Sequence, residues 1–287
     1  MKSKLSPFFW SGLVMGLALA LTLYVAVREK QFFETNQIVS PDVSLGPVLA
    51  YFFGVVVVMG LVLFFIPLSK LRLVFKVLFA LMFAWGVFVV GVLLLPTPAA
   101  YAVAGIAGIA WLFWARIWLH NLVLLVTLAG AGSVFGFLFS PLTFTIFMLI
   151  IAVYDVLAVR FGFMVWMADK LSESTALPAF IFPKKMRDWK LDLKNVRVGD
   201  LKDEEPDKRE YAILGGGDIG FPLMLAVSVY FEADLAGAVL VGVFVLIGLM
   251  SAFLIQLLWL KGKPMPALPP IAFLSLIGFL IVHFFMS

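Results

Sequence analysis

The 287-residue chain has no cysteine, which excludes disulfides, thiolate metal sites and a cysteine nucleophile. Histidine is nearly as scarce. His120 and His283 are the only two, and no H-E-x-x-H spacing occurs, so the paired ligands of a zinc peptidase are missing. No G-x-S-x-G is present either, and the glycines of "AGAGSVFG" around Ser133 sit elsewhere. Charged residues make up only 13% of the chain, with a formal net charge of +4. The pI near 9.2 carries no nucleic-acid inference, because membrane topology accounts for the cations. What is abundant is apolar surface: 63% of residues are hydrophobic and the mean hydropathy is +1.10. A soluble core of this size cannot hide so much, so lipid is the solvent.

A bilayer core of about 30 Å takes roughly 20 apolar helical residues. Nine stretches qualify: Phe8–Val27, Val48–Ile66, Leu73–Leu95, Tyr101–Leu119, Leu122–Phe139, Leu142–Met164, Tyr211–Phe231, Leu235–Leu260 and Pro269–Met286. The first lacks a small-residue cleavage pattern and reads as a retained span. The expected fold is therefore an all-α polytopic membrane protein forming one membrane domain. Residues 1–168 supply helices 1–6, 169–210 a charged loop, and 211–287 helices 7–9. The loop holds ten basic and ten acidic residues and is expected to be partly disordered, with an apolar patch at Ala176–Phe182 against the membrane surface. Nine spans put Lys2, Lys4, Lys70, Arg72, the long loop, Lys261 and Lys263 on one face, against Arg28 and Lys30 on the other. Positive charge marks the cytoplasmic side, so the amino terminus is expected inside and the carboxyl terminus outside, in the cell membrane.

Several features need only structural explanations. Gly12-x-x-x-Gly16 and Gly132-x-x-x-Gly136 are small-residue spacings suited to close helix packing, within the chain or in a homo-oligomer. Trp10, Trp118, Trp166 and Trp259 lie near span ends as interfacial anchors. His283 reads as a packed or interfacial side chain. The acids are more telling. Of 17 Asp and Glu residues, 15 fall in loops as drawn, leaving Asp155 ("IIAVYDVLAV") and Asp218 ("YAILGGGDIGFP") inside spans. Each such carboxyl costs about 2.5 kcal/mol or more on insertion scales, so function is the default reading.

The two host spans run in opposite directions from the same cytoplasmic loop. At 1.5 Å per residue, Asp155 and Asp218 lie roughly 16 and 12 Å from the span ends and so at similar depth. Facing carboxyls in a low-dielectric site cannot both ionise, and such a pair holds one shared proton. One member can take a proton from water while the other hydrogen-bonds a substrate carbonyl, which requires neither metal nor cofactor. Gly215, Gly216 and Gly217, with Gly220 and Pro222, either open a path to Asp218 and loosen its helix or allow tight helix packing. "KPMPALPP", from Lys263 to Pro270, reads as an extended segment bordering the same side, or as a stiff loop before a helix.

Taken together, Tyr154-Asp155 in the sixth span, Gly215-Gly216-Gly217-Asp218 in the seventh and Pro266-Ala267-Leu268 at the ninth resemble the presenilin and signal peptide peptidase family of GxGD intramembrane aspartyl proteases. The resemblance implies a protease that cuts transmembrane segments within the bilayer, with Asp155 and Asp218 as catalytic dyad. Tyr154, Gly215, Gly216 and Gly217 would support the site, and Pro266, Ala267 and Leu268 would shape it and bind substrate. The orientation looks like presenilin's, and the short loops look like those of a microbial, archaeal-type homologue. Substrates would be transmembrane-helix proteins; no obligate protein partner is expected. Presenilins are cut in the loop before the seventh span; here the apolar candidate, Ala176–Phe182, is short, and activity is not expected to depend on self-cleavage.

Three other readings compete. A proton- or cation-coupled transporter or channel would also use paired intramembrane acids and broken helices, though the odd span count and lack of an internal repeat weigh against it. A prepilin-type peptidase shares Gly-x-Gly-Asp but not the combination with Tyr-Asp and Pro-Ala-Leu. A purely structural membrane protein has no need of two buried acids.

Overall fold

The computed structural model describes residues 2–41, 43–196, 209–260 and 265–286, with side chains from residue 8 onward. Lys261, Lys263 and Pro264, and residues 197–208 of the charged loop, lie outside the described residues. Ten α-helices and one two-stranded sheet are described. The helices are α1 (Lys2–Thr35), α2 (Leu45–Phe65), α3 (Leu68–Leu94), α4 (Thr97–Phe113), α5 (Ile117–Leu138), α6 (Pro141–Arg160), α7 (Phe163–Glu173), α8 (Gly216–Glu232), α9 (Leu235–Leu258) and α10 (Leu268–Phe285). The strands are β1 (Ala179–Pro183) and β2 (Tyr211–Gly215). Seven helices are long and apolar enough to cross a membrane; α4 and α8, with 17 residues each, are shorter.

Local chemistry sets the boundaries. Proline at the first helical position and a Ser140 hydroxyl accepting from the Thr143 N–H start α6. Asp234 starts α9, its carboxylate accepting from the Gly237 N–H at 2.7 Å. Gly162, at φ 74°, ends α6 and turns the chain into α7, so the sixth apolar stretch is broken before Met164 instead of running through it.

The core forms where α1, α5, α8 and α9 pack together, with α3 against α5 and α4 against α3 on one flank, and α10 and α6 closing the other. Small residues permit the closest approach. A Cβ at Gly136 of α5 would stand 2.5 Å from Val227 Cβ and 2.8 Å from the Met224 carbonyl of α8. Gly132-x-x-x-Gly136 is thus a true packing seam. Gly12-x-x-x-Gly16 is not: a Cβ at either position meets nothing within 4 Å. Helix α2 stands apart, with only 6% of its span buried, and touches the remainder chiefly through α6 and α7.

Two further expectations need correction. The first concerns the apolar patch of the charged loop, which finds a protein partner and not the membrane surface. Ala176, Phe180, Ile181 and Phe182 are all buried, and Ala179–Pro183 pairs antiparallel with Tyr211–Gly215. The seventh apolar stretch consequently begins as a strand, alternate residues bonding across the sheet and not along a helix. The second correction concerns the acids. Helix α1 continues past Val27 to Thr35, which brings Glu29 into the bundle, 4% exposed and reaching Ser133 of α5. Asp155 and Asp218 are therefore not the only acids within the helices.

Candidate active site

Helices α6, α8 and α10 meet at one end of the bundle, and the sequence-singled residues converge there. Asp155 lies five residues before the end of α6 and is 4% exposed. Asp218 stands in the first turn of α8, directly after β2. Helix α10 begins at Leu268, whose backbone N–H is one of the donors a helix leaves unused at its start. Pro269 and Pro270 follow and have no N–H, so they start the helix instead of extending the segment before it. The Leu268 N–H lies near both Asp155 and Asp218, and the two acids lie within range of one another. Asp155 Oδ2 is buried and has no hydrogen-bond partner among the described residues.

The glycine triplet divides its work. A Cβ on Gly215 would approach Asp218 Oδ2 to 2.9 Å, so this glycine leaves room for the carboxylate. A Cβ on Gly216 would approach the Pro178 carbonyl to 2.9 Å, and the Gly216 N–H donates to that same oxygen at 2.8 Å. Gly217 faces only the Phe221 ring, at 3.2 Å. Four residues beyond Asp218, Pro222 supplies no N–H, which leaves the Asp218 carbonyl without its helical donor. Gly215 thus gives clearance beside Asp218, whereas Gly216 is anchored to strand β1, which the sequence did not announce.

Ala267 and Asp218 line one recess together with Met265, Ile213, Phe253 and Gln256. The space open to water-sized molecules is about 70 Å³, room for several waters and too little for a helical segment. The ladder pairs Phe180 with Leu214 and Phe182 with Ala212, and the flanking bonds Gly216 N–H to Pro178 and Lys184 N–H to Glu210 follow the same alternation. Ile213 therefore turns its N–H and C=O away from β1, on the recess side. Tyr154 does not join the acids; its ring packs edge-on against Phe52 and Phe53 and ties α6 to α2. Pro266 precedes Ala267 outside the helix and is half-buried.

A bundle of apolar helices with two carboxyls gathered around one amide is the framework of a multi-span membrane protein with acid groups at its working end. The family model described as "Signal-peptide peptidase, presenilin aspartyl protease" matches residues 12–287, and the chain belongs to that family of intramembrane aspartyl proteases. Two solved structures of a presenilin family intramembrane aspartate protease, in C222 and P2 space groups, share the fold. They superpose with TM-scores of 0.61 and 0.61 at 18% and 20% identity, covering 96% of this chain and 96% and 97% of theirs. No curated protein matches.

Proposed function

We propose that the protein hydrolyses peptide bonds within transmembrane segments of other membrane proteins, with Asp155 and Asp218 as a dyad that activates water. The observation that carries this reading is the gathering of both carboxyls near the Leu268 N–H, with a water-sized recess against Asp218. One carboxylate takes a proton from water as its oxygen attacks the scissile carbonyl carbon. The other carboxyl, protonated, hydrogen-bonds the carbonyl oxygen. Collapse of the tetrahedral intermediate breaks the C–N bond, and the amine leaves with a proton from the dyad. The pair acts as a unit, so neither acid has a fixed role. Gly215 keeps Asp218 unobstructed, while Ala267 lines the recess with Asp218, and Pro266 and Leu268 flank it in sequence.

A substrate helix hides its carbonyls and must unwind before they can be attacked. Its freed backbone needs new partners, and the outward N–H and C=O of Ile213 on β2 offer them beside Asp218. Substrates with helix-weakening residues near the cut should be cleaved faster, and equal rates for stiffened and loosened versions would count against this step. We further infer nine spans in the cell membrane, amino terminus inside, with α4 and α8 among the nine. Activity should need no cofactor and no obligate partner protein. The transporter reading receives no support from the family or the related folds.

The deciding experiment compares cleavage of a single-span reporter by purified wild type, Asp155→Asn and Asp218→Asn in lipid vesicles. Asn keeps the shape but cannot cycle a proton. Cleavage within the span by wild type alone, with both variants folded, is expected; normal cutting by either variant refutes the dyad.

A further inference from the structure

Strand β1 has two edges, and β2 occupies only one. The other meets the first turn of α5. There Asn121 Nδ2 donates to the Ile181 carbonyl at 2.7 Å and Asn121 Oδ1 accepts from the Ile181 N–H at 3.1 Å. One side-chain amide thus makes both bonds that a third strand would make at Ile181. Two residues along β1, His120 Nε2 lies 2.9 Å from the Ala179 carbonyl, while Trp111 Nε1 lies 3.2 Å from His120 Nδ1. Indole N–H only donates, so Nδ1 accepts and Nε2 carries the hydrogen given to Ala179. The chain beyond β1 is fastened likewise, Ile117 N–H donating to Leu191 and Leu193 N–H to Ala115 at 3.1 and 2.9 Å.

The side-chain bonds to β1 are dry. His120 is 0% and Asn121 5% exposed, and Ile181 is fully covered. They also lead to the acids. Ile181 faces Ile213 and Ala179 faces Gly215 across the ladder, and the Pro178 carbonyl holds the Gly216 N–H two residues before Asp218.

We propose that Asn121 and His120 are positioning residues that serve as a surrogate third strand, locking β1 onto α5 and, through β1, fixing the depth of β2 and Asp218 so that one bond of the substrate is presented for cutting. The proposal rests on the proteolytic reading above. It gives the sheet a direction: the outer edge of β1 is closed by α5, so an extended chain can add only at β2. It also assigns the buried histidine a purpose that neither metal binding nor proton transfer supplies.

The test uses full-length protein in lipid vesicles with the same reporter, reading kcat, KM, the masses of the products and the exchange of the Ile181 amide. Asn121→Leu keeps the size of the side chain and removes both bonds to Ile181. Displacement of the site by up to an ångström should lower kcat by roughly 10- to 100-fold, with KM within about threefold. Products should spread from one cut to several neighbouring bonds. Ile181 exchange should quicken about tenfold or more, since a buried donor has lost its acceptor. His120→Leu should act in the same direction, whereas His120→Gln, which places an amide donor near the Nε2 position, should restore the single cut. This pair also provides the test should Asn121→Leu fail to fold. An Asn121→Leu enzyme with wild-type kcat and one wild-type cut overturns the proposal, as does unchanged Ile181 exchange or identical behaviour of the two His120 variants. A wild type that cuts nothing overturns the proteolytic reading and this role with it; one that cuts normally beside unaffected variants overturns this role alone.

Discussion

Two glycine pairs share the same spacing, yet their substitution should have opposite consequences. In Gly136→Ala the new Cβ would sit 2.5 Å from Val227 Cβ and 2.8 Å from the Met224 carbonyl. The first gap is roughly 0.9 Å short of ordinary contact, and neither obstacle is the free end of a rotatable chain, so α5 and α8 must separate. Overpacking of this kind costs about 1–3 kcal/mol. For a chain of this length that lowers the unfolding midpoint by roughly 5 °C. Helix α8 also carries Asp218, and a shift of under an ångström at the acid should reduce kcat about tenfold or more. Gly12→Ala and Gly16→Ala meet open space, and exchanging glycine for alanine in a helix favours the fold by up to about 1 kcal/mol. Thermal unfolding in detergent and reporter cleavage in vesicles, run on the three single variants, supply the comparison. Equal midpoints for Gly136→Ala and wild type, or equal damage from Gly16→Ala and Gly136→Ala, would refute the reasoning.

Other outcomes follow from the site. Leu268→Pro removes the amide shared by the carboxyls while suiting the first helical position, and should cost about 10²-fold or more in kcat; Leu268→Ala keeps the amide and should lose stability more than turnover, so equal kcat values would discount the shared amide. Gly215→Ala places a methyl 2.9 Å from Asp218 Oδ2 and should depress kcat, whereas Gly217→Ala meets only the edge of the Phe221 ring and should do so far less; the ratio of their rates decides. Pro222→Ala returns a helical donor to the Asp218 carbonyl and should stabilise the fold by up to about 3 kcal/mol less the lost packing of the ring, raising the unfolding midpoint; an unchanged or lower midpoint would speak against a weakened first turn of α8.

Much of the helical framework was legible because lipid enforces a simple rule: long apolar runs become helices. The bounds of α2, α9 and α10 follow the hydropathy within three residues, while α3 and α5 start five residues before the apolar stretches expected for them. The strand at Tyr211–Gly215 was not legible, since five apolar residues leading into a longer apolar run carry no period that separates strand from helix. Its partner, Ala179–Pro183, lies far away in sequence inside a segment dominated by charge. Glu29 escaped for a different reason. It ends a face that was present in the sequence, with Met15, Ala18, Thr22 and Ala26 at helical spacing and all buried, but the apolar run was cut at Val27 when the first cation appeared. Asp155 and Asp218 stood out as acids in apolar surroundings, while Asn121 and His120 did not, because a single amide or imidazole near a helix start looks ordinary until the strand it holds is seen.

Helix α8 has 17 residues and so spans about 25 Å, less than a hydrocarbon layer of about 30 Å. The missing length is filled by β2, whose outward backbone groups cannot be left in lipid. With the nine spans proposed above, bilayer and protein would meet in a local thin spot at the strand, and the hydrophobic mismatch would fall beside Asp218. The thickness of the host membrane becomes a variable of the chemistry: thicker lipids press the strand deeper into hydrocarbon, and thinner ones bring the aqueous phase to the acids.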